Sequence, residues 1–252
     1  MHVIVVGSEG NLRNPDLLKL RDAGFEIDFS APVFPDTSIL ENLGNQLINT
    51  TFLGRKLVSG EVGCWLAHDA IRRNIAEKRC HEWHLVLEDD ADCSFLGDPS
   101  QISKILSQLQ LSNDRAVLVN LFGQDAQSSS SPRNLRKLLA PFSGTVGYLA
   151  NLNSMSASNP WGIAMTADWP LHLQSASFFD VAPPMVREIQ SESLIGLSER
   201  VTNARKFYTS IPVRLIRAFK LRVPLFVALR AVVFNPAVRD LTSRLRSIKT
   251  LR

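Results

Sequence analysis

Apolar and polar positions recur along this chain with two different periods, and those periods predict its elements. Residues 2–6, His-Val-Ile-Val-Val, form a short apolar run that suits a buried strand. Asn14-Pro15-Asp16 then opens a helix to about Ala23, with proline in the first turn and Gly24 at the end. Phe25 to Phe29 alternates apolar with acidic residues, as a second strand does. Such a β-α-β opening predicts a parallel sheet with a Rossmann-like beginning. A longer helix starts at Ser59-Gly60-Glu61 and runs to about Lys78, with Ser59 as its N-cap and Glu61 at the positive end of its dipole. Val62, Leu66 and Ala70 share one face of it. Gly63 inside this helix costs about 1 kcal/mol relative to alanine, which points to close packing or a ligand near the backbone.

A third strand begins at Trp83 and ends on Glu88, Asp89 and Asp90, with Asp92 close behind. Beyond it, Asp98-Pro99-Ser100 opens a helix to about Leu111, Ala116 to Phe122 reads as a buried strand, and Gly144 to Leu152 is extended. Met185 to Ile189 forms a last extended piece after Pro183-Pro184. Between these elements, Ser30 to Val58 is irregular with a short helix in Thr37 to Leu47, and the serine-rich stretch Gln124 to Arg133 is a surface loop.

Charge divides the chain. Residues 203–252 carry 12 Lys/Arg and a single acid, Asp240, whereas residues 1–202 carry 16 basic and 23 acidic side chains. The expected organisation is therefore an α/β body, 1–202, followed by a basic helical C-terminal tail, 203–252. In the tail Arg214, Arg217 and Lys220 follow one another at helical spacing, Leu215 and Phe219 lie between them, and Pro212 and Pro224 divide the segment into short helices. A basic amphipathic segment of this kind suits an anionic membrane surface, and packing against the acidic body is the alternative. Its uncharged runs, Val223 to Leu229 among them, are too short to span a bilayer. Aliphatic rather than stacking aromatic residues accompany the charges, which argues against nucleic acid. Cys64, Cys80 and Cys93 have neither zinc-finger spacing nor an even count, so a reducing compartment is expected. The N-terminus reads as a strand rather than a signal peptide.

The acidic strand end carries the chemistry. Three adjacent carboxylates repel one another and resist desolvation, so a cation is expected among them. A hard divalent ion, Mn2+ or Mg2+, suits oxygen ligands and leaves positions open for a phosphate. Glu88 and Asp90 are the expected metal ligands. In open α/β sheets ligands bind beyond the carboxyl ends of strands, where these acids stand. A solvated acidic turn, or caps for a following helix, is the bland alternative.

Two stretches together narrow the reading. Ser59-Gly60-Glu61-Val62-Gly63-Cys64-Trp65-Leu66-Ala67-His68 and Leu85-Val86-Leu87-Glu88-Asp89-Asp90 resemble the paired motifs of the family 25 glycosyltransferases, which include lipooligosaccharide and collagen galactosyltransferases. Ala67 stands where the family usually has Ser. Gly144-Thr145-Val146-Gly147-Tyr148-Leu149 resembles the family's later strand, Asp168-Trp169 its second acidic site, and Pro184-Met185-Val186 through Gln190 to Ser193 its closing stretch. Asn11-Leu12-Arg13 stands in for a first-strand cluster of the family, and the tail has no counterpart there.

The resemblance implies a GT-A-like fold with a Rossmann-type, mostly parallel central sheet flanked by helices. It implies a metal-dependent, inverting transfer of a sugar, galactose or a related one, from a UDP-sugar to a glycan or lipid-linked glycan of the cell envelope. Asp168 is then the catalytic base and Glu192 a second choice. Gly60, Glu61, His68, Glu88, Asp89, Gln190 and Ser193 are the expected substrate contacts. Together with the tail, this implies an enzyme in the cytoplasm, held peripherally on the inner face of the membrane. A metal-dependent nucleotidyltransferase or phosphohydrolase using the same acids, and a non-catalytic membrane-associated relative, are the competing readings.

Overall fold

A computed structural model describes residues 1–34, 57–78, 82–93, 100–109, 116–123, 134–138, 144–152, 176–189 and 211–220. The chain forms two compact units. The first comprises Met1–Pro32, Ala67–Ser158 and Ala176–Glu192, and the second Val33–Leu66, Asn159–Ser175 and Ser193–Arg252.

The first unit is built on a seven-stranded sheet. In chain order its strands are β1 (His2–Val6), β2 (Glu26–Ser30), β3 (His84–Glu88), β5 (Val117–Asn120), β6 (Asn134–Leu138), β7 (Gly147–Asn151) and β8 (Ser177–Ala182). A separate pair joins β4 (Ala91–Cys93) to β9 (Val186–Glu188). The helices are α1 (Lys19–Asp22), α2 (Ser59–Lys78, which begins in the second unit), α3 (Ser100–Ser107) and, in the second unit, α4 (Ile211–Lys220).

The spatial order is β2-β1-β3-β7-β5-β8-β6. β1 pairs in parallel with both β2 and β3, as the opening pattern predicts. The sheet as a whole is mixed rather than mostly parallel. β7 runs antiparallel between β3 and β5, and β6 antiparallel along β8. This α/β architecture is compatible with a Rossmann-like fold.

Alternation along the strands separates two faces. Val3 and Val5, Leu85 and Leu87, Val117 and Val119, and Leu149 join Leu17 and Leu20 beside α1 and Ile102 and Ile105 of α3 in one buried cluster. The opposite face of β3 and β7 meets α2, where His68 and Arg72 reach Tyr148. Helices therefore cover both faces, the arrangement that keeps a buried α/β sheet dry.

Several elements differ from the sequence expectation. The first helix begins as a 3-10 turn, Pro15–Leu18, capped by Asn14 Oδ1 accepting from the Asp16 amide at 3.1 Å, and four residues of α-helix follow. Gly24, at φ +83°, ends it as expected. α2 begins at Ser59 itself, so Ser59 lies inside the helix. Glu61 instead reaches back to accept from the Val58 amide at 3.1 Å, one half of a capping box. α3 stops at Ser107, short of the expected Leu111. In α4, Pro212 occupies the first turn rather than dividing the segment, because a first-turn residue has no intrahelical N–H bond to lose. Arg214 is buried at 2% exposure while Val213 and Ile216 are exposed, so Arg214 does not belong to an outward basic face. Among the described residues no helix is long and apolar enough to cross a membrane. The short helix expected in 37–47, the loop 124–133, and the tail apart from 211–220 lie outside the described residues.

Candidate active site at the carboxyl end of β3

The order β2-β1-β3 makes the gap between β1 and β3 a point where the chain reverses its direction of winding. Crevices at such points, beyond the strand ends, are where α/β sheets place ligands. Val6 and Glu88 are register partners there, so Gly7 and the acidic turn lie side by side. A Cβ built on Gly7 would stand 2.9 Å from the Asp89 Cβ, too close for any side chain. Glycine at position 7 thus lets the two strand ends approach.

The acidic turn is held by the segment that follows β1. The Asn14 amide donates to the Asp89 carbonyl at 2.8 Å, and its side-chain Nδ2 donates to the Ala91 carbonyl at 2.6 Å. Arg13 is the cation that meets the crowded acids. Its Nη2 and Nε donate to Asp89 Oδ1 at 2.7 and 3.0 Å, and its Nη1 lies 3.0 Å from Asp90 Oδ2. Asp90 is 1% exposed, and neither of its oxygens receives an aligned hydrogen bond among the described residues. Burial pushes its carboxyl up to about 7; Arg13 pulls against the rise, while Glu88, Glu188 and Asp89 add to it.

Glu88 turns to the other face of the sheet. Its Oε1 lies 3.3 Å from His68 Nε2 and accepts from the Thr145 hydroxyl. His68 is wholly buried, and its Nδ1 lies 3.1 Å from the Tyr148 hydroxyl. Burial holds the imidazole below its ordinary value, against the pull of Glu88 and with help from Arg72, so the ring is neutral near pH 7. Burial also pushes the Glu88 carboxyl up, but His68, Thr145 and Arg13 outweigh it and hold the group low. A carboxylate can only accept, so Nε2 carries the ring proton and Nδ1 accepts from Tyr148. The result is a directed relay from Tyr148 through His68 to Glu88.

One further grouping shares these residues. A sulfur from Cys64, a ring nitrogen from His68 and an oxygen from Glu88 lie within 4.8 Å of one another, a possible metal-binding triad. It contains Glu88 of the expected metal pair and not Asp90. Gly60 stands half-buried at the second position of α2, and Glu61 is engaged in the helix cap. Asp168, Gln190, Glu192 and Ser193 lie outside the described residues.

Reasoning from sequence did not single out Arg13, Asn14, Thr145, Tyr148 or Cys64 as site residues. Arg13, Thr145, Tyr148 and Cys64 all fall within the stretches that carry the family resemblance, which was the available signal. Asn14 was read only as part of a helix start. No family model matches the chain, and no curated protein matches it either.

Proposed function

We propose that this chain is a metal-dependent, inverting glycosyltransferase that moves a sugar, galactose or a close relative, from a UDP-sugar to a glycan or lipid-linked glycan acceptor of the cell envelope. The observation that carries the reading is the contact between His68 and Glu88. It joins the two stretches whose resemblance suggested the activity, and it does so at the sheet's switch point, where nucleotide ligands bind in α/β folds.

The site fits a hard divalent cation. Glu88, Asp89 and Glu188 all act on the Asp90 carboxyl, and Arg13 is the opposing positive charge. A diphosphate brought to that surplus of negative charge needs a further cation. The buried Asp90 oxygens, which accept no aligned hydrogen bond from the described residues, would hold it, with Asp89 beside them. Glu88, the other expected ligand, is engaged by His68 and Thr145. Mn2+ or Mg2+, when bound, offsets the charge that develops on the departing diphosphate.

The chain's own residues do the remaining work in this reading. Arg13 fixes the rotamers of Asp89 and Asp90 through its forked contacts. His68 and Thr145 fix Glu88. Gly60 and Glu61, at the start of α2, together with Gln190 and Ser193, contact the donor. Asp168 removes the acceptor hydroxyl proton, with Glu192 as the second choice for that role.

Incubation with UDP-sugars and Mn2+ is expected to release UDP in an acceptor-dependent manner, and UDP with Mn2+ should raise the melting temperature. Release of phosphate or pyrophosphate instead would overturn the transferase reading in favour of a phosphohydrolase or nucleotidyltransferase. An unchanged melting temperature would favour a non-catalytic relative. The reading extends to location, on the inner face of the membrane. The tail carries 12 basic residues, and its one described helix exposes Val213 and Ile216. Co-sedimentation of the full chain with vesicles rich in phosphatidylserine, lost with neutral vesicles and weakened by salt, is the expected result. Failure to co-sediment with either vesicle type would remove the membrane from the reading.

A further inference from the structure

We propose that Arg13 guards the cation position at Asp89 and Asp90 and, once displaced from it, becomes a ligand for the donor's diphosphate. The inference rests on the UDP-sugar reading above and assigns Arg13 a place in it. In the free chain the guanidinium holds the oxygens that an ion would need. A carboxylate oxygen has two lone-pair sites. On Asp89 Oδ1 both are taken by Arg13, with Nε donating at 3.0 Å and Nη2 at 2.7 Å. Arg13 Nη1 lies 3.0 Å from Asp90 Oδ2. Asp90 is 1% exposed and both of its oxygens are buried, so an ion reaches them only if a group packed on them moves. Arg13, with its side chain 32% exposed, is the partly exposed cation in contact with them.

The backbone around Arg13 is held without help from its side chain. Arg13 stands between two short 3-10 turns, Glu9–Asn11 and Pro15–Leu18, and belongs to neither. The neighbouring Asn14 anchors the segment, with its amide on the Asp89 carbonyl at 2.8 Å and its Nδ2 on the Ala91 carbonyl at 2.6 Å. Releasing the guanidinium therefore breaks its ion pairs and leaves these contacts in place. A guanidinium cannot shed its charge, so a divalent ion on the same carboxylates repels it. The acids of the two flanking turns do not recapture it, because Glu9 is paired with Arg21 and Asp16 with Lys19. The planar fork suits a phosphate as well as it suits a carboxylate. Beyond the switch point, where nucleotide phosphates bind in α/β folds, the anion that meets the displaced fork is the diphosphate. Ion and nucleotide then favour one another's binding through Arg13.

The test reads metal binding rather than turnover. The full chain, stripped by chelation, is titrated with Mn2+, and free Mn2+ is followed by electron paramagnetic resonance with and without UDP. Without nucleotide, Arg13→Ala should bind one Mn2+ more tightly than the parent by about 5- to 150-fold, the typical span of a coupling between two ligands. Arg13→Lys should fall between the two, because a single ammonium cannot fork across two carboxylates. The Arg13→Ala/Asp90→Asn double variant should lose the gain, which places the ion at Asp90. UDP should raise the Mn2+ affinity of the parent by a larger factor than that of Arg13→Ala, whose site has no fork for the phosphates. Equal or weaker Mn2+ binding by Arg13→Ala would overturn the guard, and an equal UDP factor in the two proteins would overturn the phosphate role. If Arg13→Ala does not fold, Arg13→Lys decides by the same comparisons. Failure of parent and variant alike to bind Mn2+ with UDP present would instead remove the metal from the UDP-sugar reading, and this inference with it.

Discussion

Replacing Arg13 with alanine is expected to lower stability by about 2–3 kcal/mol, or roughly 5–10 °C in Tm for a chain of this size. The loss comes less from the Arg13 contacts themselves than from what they leave behind. Asp90 is 1% exposed, its oxygens accept no aligned hydrogen bond among the described residues, and Arg13 Nη1 is the cation 3.0 Å away. Without the guanidinium, Asp89 and Asp90 repel across a single turn, and Glu88 and Glu188 add to the repulsion. Asp90→Asn removes the buried charge, so the Arg13→Ala/Asp90→Asn double variant should recover more than half of the loss. The cycle should show coupling of at least about 1 kcal/mol. Arg13→Lys should fall between the parent and Arg13→Ala, because one ammonium cannot make forked contacts to two carboxylates. Thermal denaturation of the four proteins in chelating buffer measures all of this. Strict additivity of Arg13→Ala and Asp90→Asn would mean that the pair is not coupled.

That dependence on Arg13 marks where sequence reasoning stopped. The acids at 88–90 announce a need for positive charge, and the sequence supported a metal as its source. The residue that meets them lies 76 positions from Asp89, in a segment with no periodic pattern, and only the parallel register of β1 with β3 brings it there. Elements whose burial follows one period were legible: the apolar runs of β1 and β3, and the long pattern of α2. β6 was not, because Asn134-Leu-Arg-Lys-Leu138 lies at the sheet's edge and most of its residues face water. Strand direction also left no trace in local sequence. β7 is extended, as expected of Gly144 to Leu152, and fully buried, yet it runs antiparallel between β3 and β5. The same is true of the turn at Asp89, where the chain folds into β4 and pairs with β9, almost a hundred residues on. His68 stands among the substrate contacts that the family resemblance implies. Its described partners, Tyr148 and Glu88, come from two strands of the sheet.

His68 and Asp90 should impose opposite pH slopes on stability, and separating them is the second large effect expected. The buried imidazole is held below its ordinary 6.5, so below that pH the unfolded chain binds more protons than the folded one. Its contribution is complete above 6.5 and is lost as pH falls through the lowered value. Asp90 behaves in the reverse sense. Its carboxyl rises from 3.8 to about 7, so between those values the folded chain binds more protons, and stability falls as pH rises toward 7. In the parent chain the two slopes oppose each other on the acid side of neutrality, leaving a shallow profile. Asp90→Asn should expose the histidine slope, with stability climbing as pH rises toward 6.5. His68→Gln should expose the aspartate slope, with stability declining over the same range. It should also cost about 2 kcal/mol at neutral pH, because a flexible amide must be ordered to meet Tyr148 and Glu88 at once, where the rigid ring already does. Glu88 and Arg72 act on His68, while Arg13, Glu88, Asp89 and Glu188 act on Asp90; Glu88 is common to both, and His68→Gln also removes one of the groups that hold Glu88 low. Chemical denaturation at a series of pH values, with chelator present, reads the slopes directly. Parallel profiles for the two variants would show that neither group titrates between its folded and unfolded values as the buried geometry requires.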